Sequence, residues 1–133
     1  PLELYPGSHL GPIFEHYDSQ GAWTGAVREQ DLAGVGPDGP IAVTGPAGTV
    51  SVHHSRTIHG SGQNQSSQGR PVLVLTYSAA DAIPYTAPAY PSSRYGVLVR
   101  GEEPGYAHHE ELHVPMPPDW SDGYTSIFAH QEK

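Results

Sequence analysis

Apolar and polar residues alternate over Leu2-Glu3-Leu4-Tyr5 and halt at Pro6-Gly7. A period of two is that of a half-buried strand, and Pro-Gly is turn chemistry, so this stretch predicts the end of a strand cut off from its start. Residues 6–22 read as a loop containing Gly11-Pro12 and Asp18-Ser19, followed by a short strand from Trp23 to Val27 and a helical turn from Arg28 to Leu32. Gly34 to Pro40 is turn-rich. Three strands are then predicted in quick succession: Ile41 to Thr44, Thr49 to His54 with alternating Val50 and Val52, and Ile58-His59-Gly60. A polar loop from Ser61 to Gly69 leads to the strongest strand signal, Pro71 to Ser78, which is apolar and β-branched. Ala79 to Pro91 is Pro- and Ala-rich loop, and Tyr95 to Arg100, Leu112 to Met116 and Tyr124 to Phe128 are predicted peripheral strands. Short strands punctuated by turns point to an all-β barrel or sandwich.

Composition sharpens this picture. The chain has 133 residues, of which 16 are Gly and 14 are Pro, a content that disfavours long helices. That length suits one small domain or part of a larger one. The absence of Cys removes disulfides, thiolate catalysis and zinc–thiolate sites. A net charge of -8 repels phosphate backbones, so nucleic acid is not an expected partner. No apolar run approaches the roughly 18 residues of a membrane span, so no membrane partner is expected either. No charged and apolar leader opens the chain, and a cytoplasmic location is the expectation. Nine His is a high count, and neutral imidazole is the commonest metal ligand.

One stretch concentrates the chemistry. His59 sits at a strand end and is followed by Gly60-Ser61-Gly62; eleven positions later Arg70 opens the apolar strand. In an antiparallel pair such an offset returns the Arg beside the strand that carries the His. A facial arrangement of two His and one carboxylate leaves three positions open on Fe(II). A 2-oxo acid fills two of them, and its far carboxylate then needs a fixed cation deeper in the site. Arg provides a planar, permanently charged fork for that carboxylate, and a hydroxyl such as that of Ser61 adds a hydrogen bond.

At these residues the chain resembles the C-terminal part of the phytanoyl-CoA dioxygenase family. Pro6-Gly7-Ser8-His9 resembles the family's turn after its central strands, and Pro46-Ala47-Gly48-Thr49-Val50 resembles its turn into the next strand. His59-Gly60-Ser61-Gly62-Gln63-Asn64-Gln65-Ser66 resembles its distal-histidine block, and Arg70, opening a strand that ends at Tyr77, resembles its 2-oxoglutarate arginine. The blocks run in order from residue 6 to about 83. The resemblance implies a double-stranded β-helix, the jelly-roll or cupin-like fold, with core strands over about 1–83 and a C-terminal extension over about 84–133. It implies His59 as an iron ligand and Arg70 and Ser61 as the 2-oxoglutarate-binding residues, with Asn64 shaping the loop. It implies Fe(II), 2-oxoglutarate and O2 as cofactor and co-substrates. The reaction would be oxidative decarboxylation of 2-oxoglutarate to succinate and carbon dioxide, coupled to hydroxylation of a small organic or acyl substrate. The family's first two iron ligands, a His-x-Asp pair, precede the Pro-Gly-Ser-His block. That block begins here at residue 6, so the expectation is a fragment holding one of three protein ligands and inactive alone. No acid–base catalytic residue is assigned. The alternative is a non-catalytic, cupin-like binding protein of the same fold.

Other histidines offer competing sites. His16-Tyr17-Asp18 has the His-x-Asp form but follows the Pro-Gly-Ser-His block and falls in a loop, so it reads as a polar loop near the mouth of the site. His109-Glu110-Glu111-Leu112-His113 has the His-Glu-x-x-His form of a zinc protease, which works only on a helix. Pro104 before it and Pro115, Pro117 and Pro118 after it leave no room for one. His53 and His54 occupy adjacent strand positions and are expected to face opposite ways. Trp23 is expected to pack rather than to bind substrate, and His9, His108 and His130 to be ordinary surface residues.

Overall fold

The computed structural model of the chain describes residues 1–36 and 38–131. Pro37, within the turn-rich stretch 34–40, and Glu132 and Lys133, at the end of the C-terminal extension, lie outside the described residues. Leu2–Leu4 (β1) forms as the alternation predicts, with Leu2 and Leu4 half-buried and Glu3 exposed. It is the middle strand of a three-stranded antiparallel sheet, flanked by Ile41–Val43 (β2) and His59–Ser61 (β3) in the order β2-β1-β3. Leu2 pairs with Val43 and Ser61, Glu3 with Ala42 and Gly60, and Leu4 with Ile41 and His59. Directly paired residues project to the same face. One face therefore carries Leu2, Leu4, Ile41, Val43, His59 and Ser61, and the other carries Glu3 and Ala42.

The chain leaves β1 through Pro6-Gly7. Gly7 sits at φ 78°, a left-handed turn position open to glycine, and leads into a 3-10 turn, Ser8–Leu10. Residues 16–24 fold back on themselves through a single bridge, Tyr17 to Trp23, so the strand expected over 23–27 is reduced to one paired residue. Glu29–Leu32 (α1) is the expected helical turn, and its Arg28 donates from Nε to Asp31 at 2.6 Å.

The C-terminal extension holds a feature that the pattern did not predict. Trp120 meets Trp23 edge to face at 5.0 Å between ring centroids, and Tyr124 meets Trp120 at 4.7 Å. His130 lies 5.2 Å from Trp23 and stacks on Tyr124 at 5.9 Å. Edge-to-face contacts of this kind add stability beyond buried area. His130 lies on a last helical turn, Phe128–Gln131 (α2), where a strand over 124–128 was expected. Gly25 is buried beneath this cluster: a Cβ there would stand 2.8 Å from the Trp23 ring and 3.0 Å from Ile127. His130 is thus a packed residue and not an ordinary surface one.

The other expected strands are absent from the sheet. Residues 49–54, 71–78, 95–100 and 112–116 lie in no strand. A strand exists by pairing, and none of these segments has a neighbour to pair with among the described residues. The double-stranded β-helix expected from the family pattern is accordingly not seen in the described residues, and the all-β reading rests on the small sheet. Val52 is 92% exposed, and Leu73 and Val74 are 83% and 76% exposed, so apolar side chains on both faces of the 71–78 segment meet water. Among the described residues no apolar side chain is buried. Because burial of apolar area supplies most folding free energy, the chain alone lacks the term that makes unfolding cooperative. The isolated 133-residue chain is therefore expected to bind a dye such as ANS and to melt without a sharp endotherm. A single cooperative transition with an enthalpy near the roughly 0.7 kcal/mol per residue of globular proteins would refute this.

Candidate metal centre

His59 opens β3, and Ser61 follows it by two, so the two side chains share the face that also carries Leu2 and Leu4. The imidazole is fixed from one side: Nδ1 lies 2.7 Å from the carbonyl oxygen of Thr57. A carbonyl only accepts, so Nδ1 is the donor, and in the neutral ring Nε2 then keeps its lone pair. That is the tautomer a metal-binding imidazole needs, since the ligating nitrogen is set by what the other nitrogen bonds. The donor set therefore fits a metal through His59 Nε2. Among the described residues no group of three His, Asp or Glu side chains comes together around it.

The peptide that holds His59 is itself held. Ile58 donates its N–H to Ser8 Oγ at 2.8 Å, and Ser8 Oγ donates to the Tyr5 carbonyl at 2.7 Å. Tyr5 N–H closes the loop on the Ile58 carbonyl at 3.0 Å. Arg56 Nη2 donates to the Gly11 carbonyl at 2.6 Å, and Thr57 is buried between the two segments. The Pro6-Gly7-Ser8-His9 turn is thus welded to the strand that carries His59. His53 and His54 point to different partners, as adjacent extended positions should. The His53 ring lies 4.9 Å from that of His59, and the His54 ring lies 5.6 Å from that of His9. His9 is half-buried against His54 and is not a plain surface residue.

Arg70 is placed differently from the expectation. It is exposed, lies in no strand, and makes no hydrogen bond or ion pair among the described residues. Its strand lacks a neighbour, so nothing returns it beside β3. The structure brings His59 and Ser61 together and leaves Arg70 outside the sheet. Asn64 has the loop-shaping role expected of it: its Oδ1 accepts from Ser66 N at 2.9 Å and its Nδ2 donates to the Gln68 carbonyl at 2.8 Å.

The competing sites lose their geometry. Asp18 Oδ1 accepts from the backbone of Gln20 and Ala22 at 2.9 and 2.8 Å, which commits the carboxylate to the turn. His16 beside it is half-buried, and burial holds its imidazole below the usual histidine range. Residues 109–113 are exposed and not helical, so His109 and His113 do not share a helix face. Trp23 packs against Trp120 as expected, and the same burial pushes the Tyr124 phenol up, with Tyr90 adding to the effect. The sequence pattern missed the role of Ser8. Ser8 had a signal, a hydroxyl residue directly after Pro-Gly, where such side chains bond nearby backbone.

Comparison with known proteins places the chain in a family. The family described as phytanoyl-CoA dioxygenase (PhyH) matches residues 1–72, a span that includes β1, β2, β3, Ser8, His59, Ser61 and Arg70. A probable alpha-ketoglutarate-dependent hypophosphite dioxygenase of Stutzerimonas stutzeri is 33% identical over 132 residues, covering 98% of this chain and 46% of that protein. An L-proline trans-4-hydroxylase of Streptomyces griseoviridis is 35% identical over 98 residues, covering 63% of this chain and 37% of that protein. The chain thus spans less than half the length of these curated relatives, and no solved structure matches it significantly. The match over residues 1–72, more than half of the chain, shows that the chain belongs to the phytanoyl-CoA dioxygenase family.

Proposed function

We propose that this chain is the C-terminal portion of an Fe(II)- and 2-oxoglutarate-dependent dioxygenase that hydroxylates a small molecule. The observation that supports this most directly is the His59 imidazole, whose Nδ1 proton is tied to Thr57 and whose Nε2 is free to ligate. Both relatives named above carry an oxygenase name, one acting on hypophosphite and one on L-proline, which favours a small polar substrate over a long acyl chain. The exposed apolar segments 49–54 and 71–78 fit strands whose partners lie in a portion of the barrel outside residues 1–133. The same portion would supply the His-x-Asp pair. The finer fold assignment is a double-stranded β-helix completed by those partners.

Within that assembly His59 Nε2 serves as one iron ligand, held in a single orientation by the sheet and by Thr57. Iron held there would supply O2 activation coupled to decarboxylation of 2-oxoglutarate. Arg70 receives the far carboxylate of 2-oxoglutarate once strand 71–78 is paired and brought beside β3, and Ser61 adds a hydrogen bond from the shared face. Leu2 and Leu4 share the sheet face of His59 and would form an apolar floor beside it once the missing strands cover that face.

Two substitutions in the intact protein test these roles. His59→Ala is expected to abolish Fe(II)-dependent succinate formation and to lower Fe(II) affinity measured anaerobically; unchanged Fe(II) affinity would remove His59 from the ligand set. Arg70→Gln is expected to raise the KM for 2-oxoglutarate about 10- to 100-fold, the loss of a charge-assisted hydrogen-bonded pair of roughly 1.5–3 kcal/mol. An unchanged KM would show that another cation holds the co-substrate. The 133-residue chain by itself is expected to form no succinate, and robust turnover by it would return His16 and Asp18 to consideration as ligands.

A further inference from the structure

We infer that Ser8 is a positioning residue for His59, acting through the single peptide group that joins Thr57 to Ile58. The two ends of that peptide are engaged at once. Its N–H, on Ile58, donates to Ser8 Oγ at 2.8 Å, and its carbonyl, on Thr57, accepts the Nδ1 proton of His59 at 2.7 Å. Ser8 Oγ in turn donates to the Tyr5 carbonyl at 2.7 Å. The result is a continuous relay in which each group donates to the next: His59 Nδ1–H to the 57–58 peptide, that peptide to the Ser8 hydroxyl, and the hydroxyl to Tyr5.

Hydrogen bonds in such a chain polarise one another. An N–H engaged by Ser8 makes the Thr57 carbonyl a better acceptor, which strengthens its hold on the Nδ1 proton and raises the electron density left at Nε2. The Ser8 hydroxyl also fixes the plane of the peptide, and with it the direction in which the carbonyl meets the ring. The relay is short and partly shielded from water: Ser8, Ile58 and Tyr5 are half-buried and Thr57 is buried. Ser8 is suited to this task because its hydroxyl accepts and donates together, which neither Ala nor a carbonyl side chain does. The 3-10 turn holds it in place, with Ser8 N–H bonded to the Tyr5 carbonyl at 3.2 Å.

The inference rests on His59 as the ligand, and its test separates the two. In the intact, metal-free protein, the nitrogen chemical shifts of His59 report which ring nitrogen carries the proton, with no iron involved. Wild type and Ser8→Thr, which keeps the hydroxyl, are expected to show the Nδ1–H form alone. Ser8→Ala is expected to show a mixture of Nδ1–H and Nε2–H forms and to bind Fe(II) about tenfold more weakly, the lower end of the loss typical for a residue that orients a metal ligand. The KM for 2-oxoglutarate is expected to stay unchanged. Ser8→Cys, with a weakly accepting Sγ, keeps the comparison available if Ser8→Ala does not fold, and is expected to fall between the two. A purely structural Ser8 would lower the melting temperature in Ser8→Ala or Ser8→Cys and leave the His59 nitrogen pattern and the Fe(II) affinity as in wild type. Either an unchanged nitrogen pattern or an unchanged affinity overturns the relay. Failure of His59→Ala to lower Fe(II) affinity overturns the ligand assignment instead.

Discussion

The central position of β1 is the constraint on which the rest of this structure depends. Three residues, Leu2 to Leu4, are paired on both sides, and through them β2 and β3 are related to each other. The pairing runs on past β3 through Tyr5 N–H to the Ile58 carbonyl, so the turn after β1 stays in register with the strand that carries His59. A slip of one residue would send every side chain to the opposite face. His59 and Ser61 would then leave the Leu2 and Leu4 face, and Ser8 would no longer meet the 57–58 peptide. The sheet is small, but its register decides whether the imidazole, the hydroxyl and the apolar floor coincide.

What the sheet does not do is bury a core. The most apolar run, Val72 to Leu75, carries large side chains at consecutive positions, the pattern of a strand covered on both faces. Here it is covered on neither. The aromatic cluster of Trp23, Trp120, Tyr124 and His130 packs distant parts of the chain ring against ring, and it joins the 16–24 fold to the C-terminal extension rather than to the sheet. Local hydrogen bonding, in turns and caps, therefore carries more of the organisation here than apolar burial does. On such a scaffold a side chain is oriented by hydrogen bonds, which is how His59 is held.

The parts legible in the sequence were those determined by nearby residues. β1, β2, β3 and α1 follow from short-range alternation, turn residues and one helical turn, and all four form within a residue or two of the expected spans. The place of His59 on a short strand was legible from the extended pattern around it, and the loop role of Asn64 because Asn bonds backbone two and four residues away. The 71–78 segment shows the limit. Its β-propensity was read correctly as a preference for a covered, pleated surface, but propensity does not supply the neighbouring strand. The aromatic cluster was illegible for a different reason: Trp23 and Trp120 are nearly a hundred residues apart, and no period or motif links them. Ser8 lay between these cases, since its turn was visible and its bond to Ile58, fifty residues on, was not.

Spacing nominated two metal motifs in this chain and the family resemblance a third, and local structure separates them. Asp18 has a His two residues before it, yet its Oδ1 accepts two backbone N–H groups, which holds the carboxylate in an exposed turn where no group of three His, Asp or Glu side chains gathers among the described residues. His109 and His113 have the right separation, yet without a helix they share no face. His59 differs because its hydrogen bond engages the nitrogen that does not ligate. A bond that occupies the ligating atom argues against a metal, whereas a bond that occupies the opposite atom prepares for one. By that criterion His59 is the member of the three whose local hydrogen bonding leaves a ligating atom open, and the same criterion makes the groups behind Nδ1, Thr57 and then Ser8, part of the proposed site.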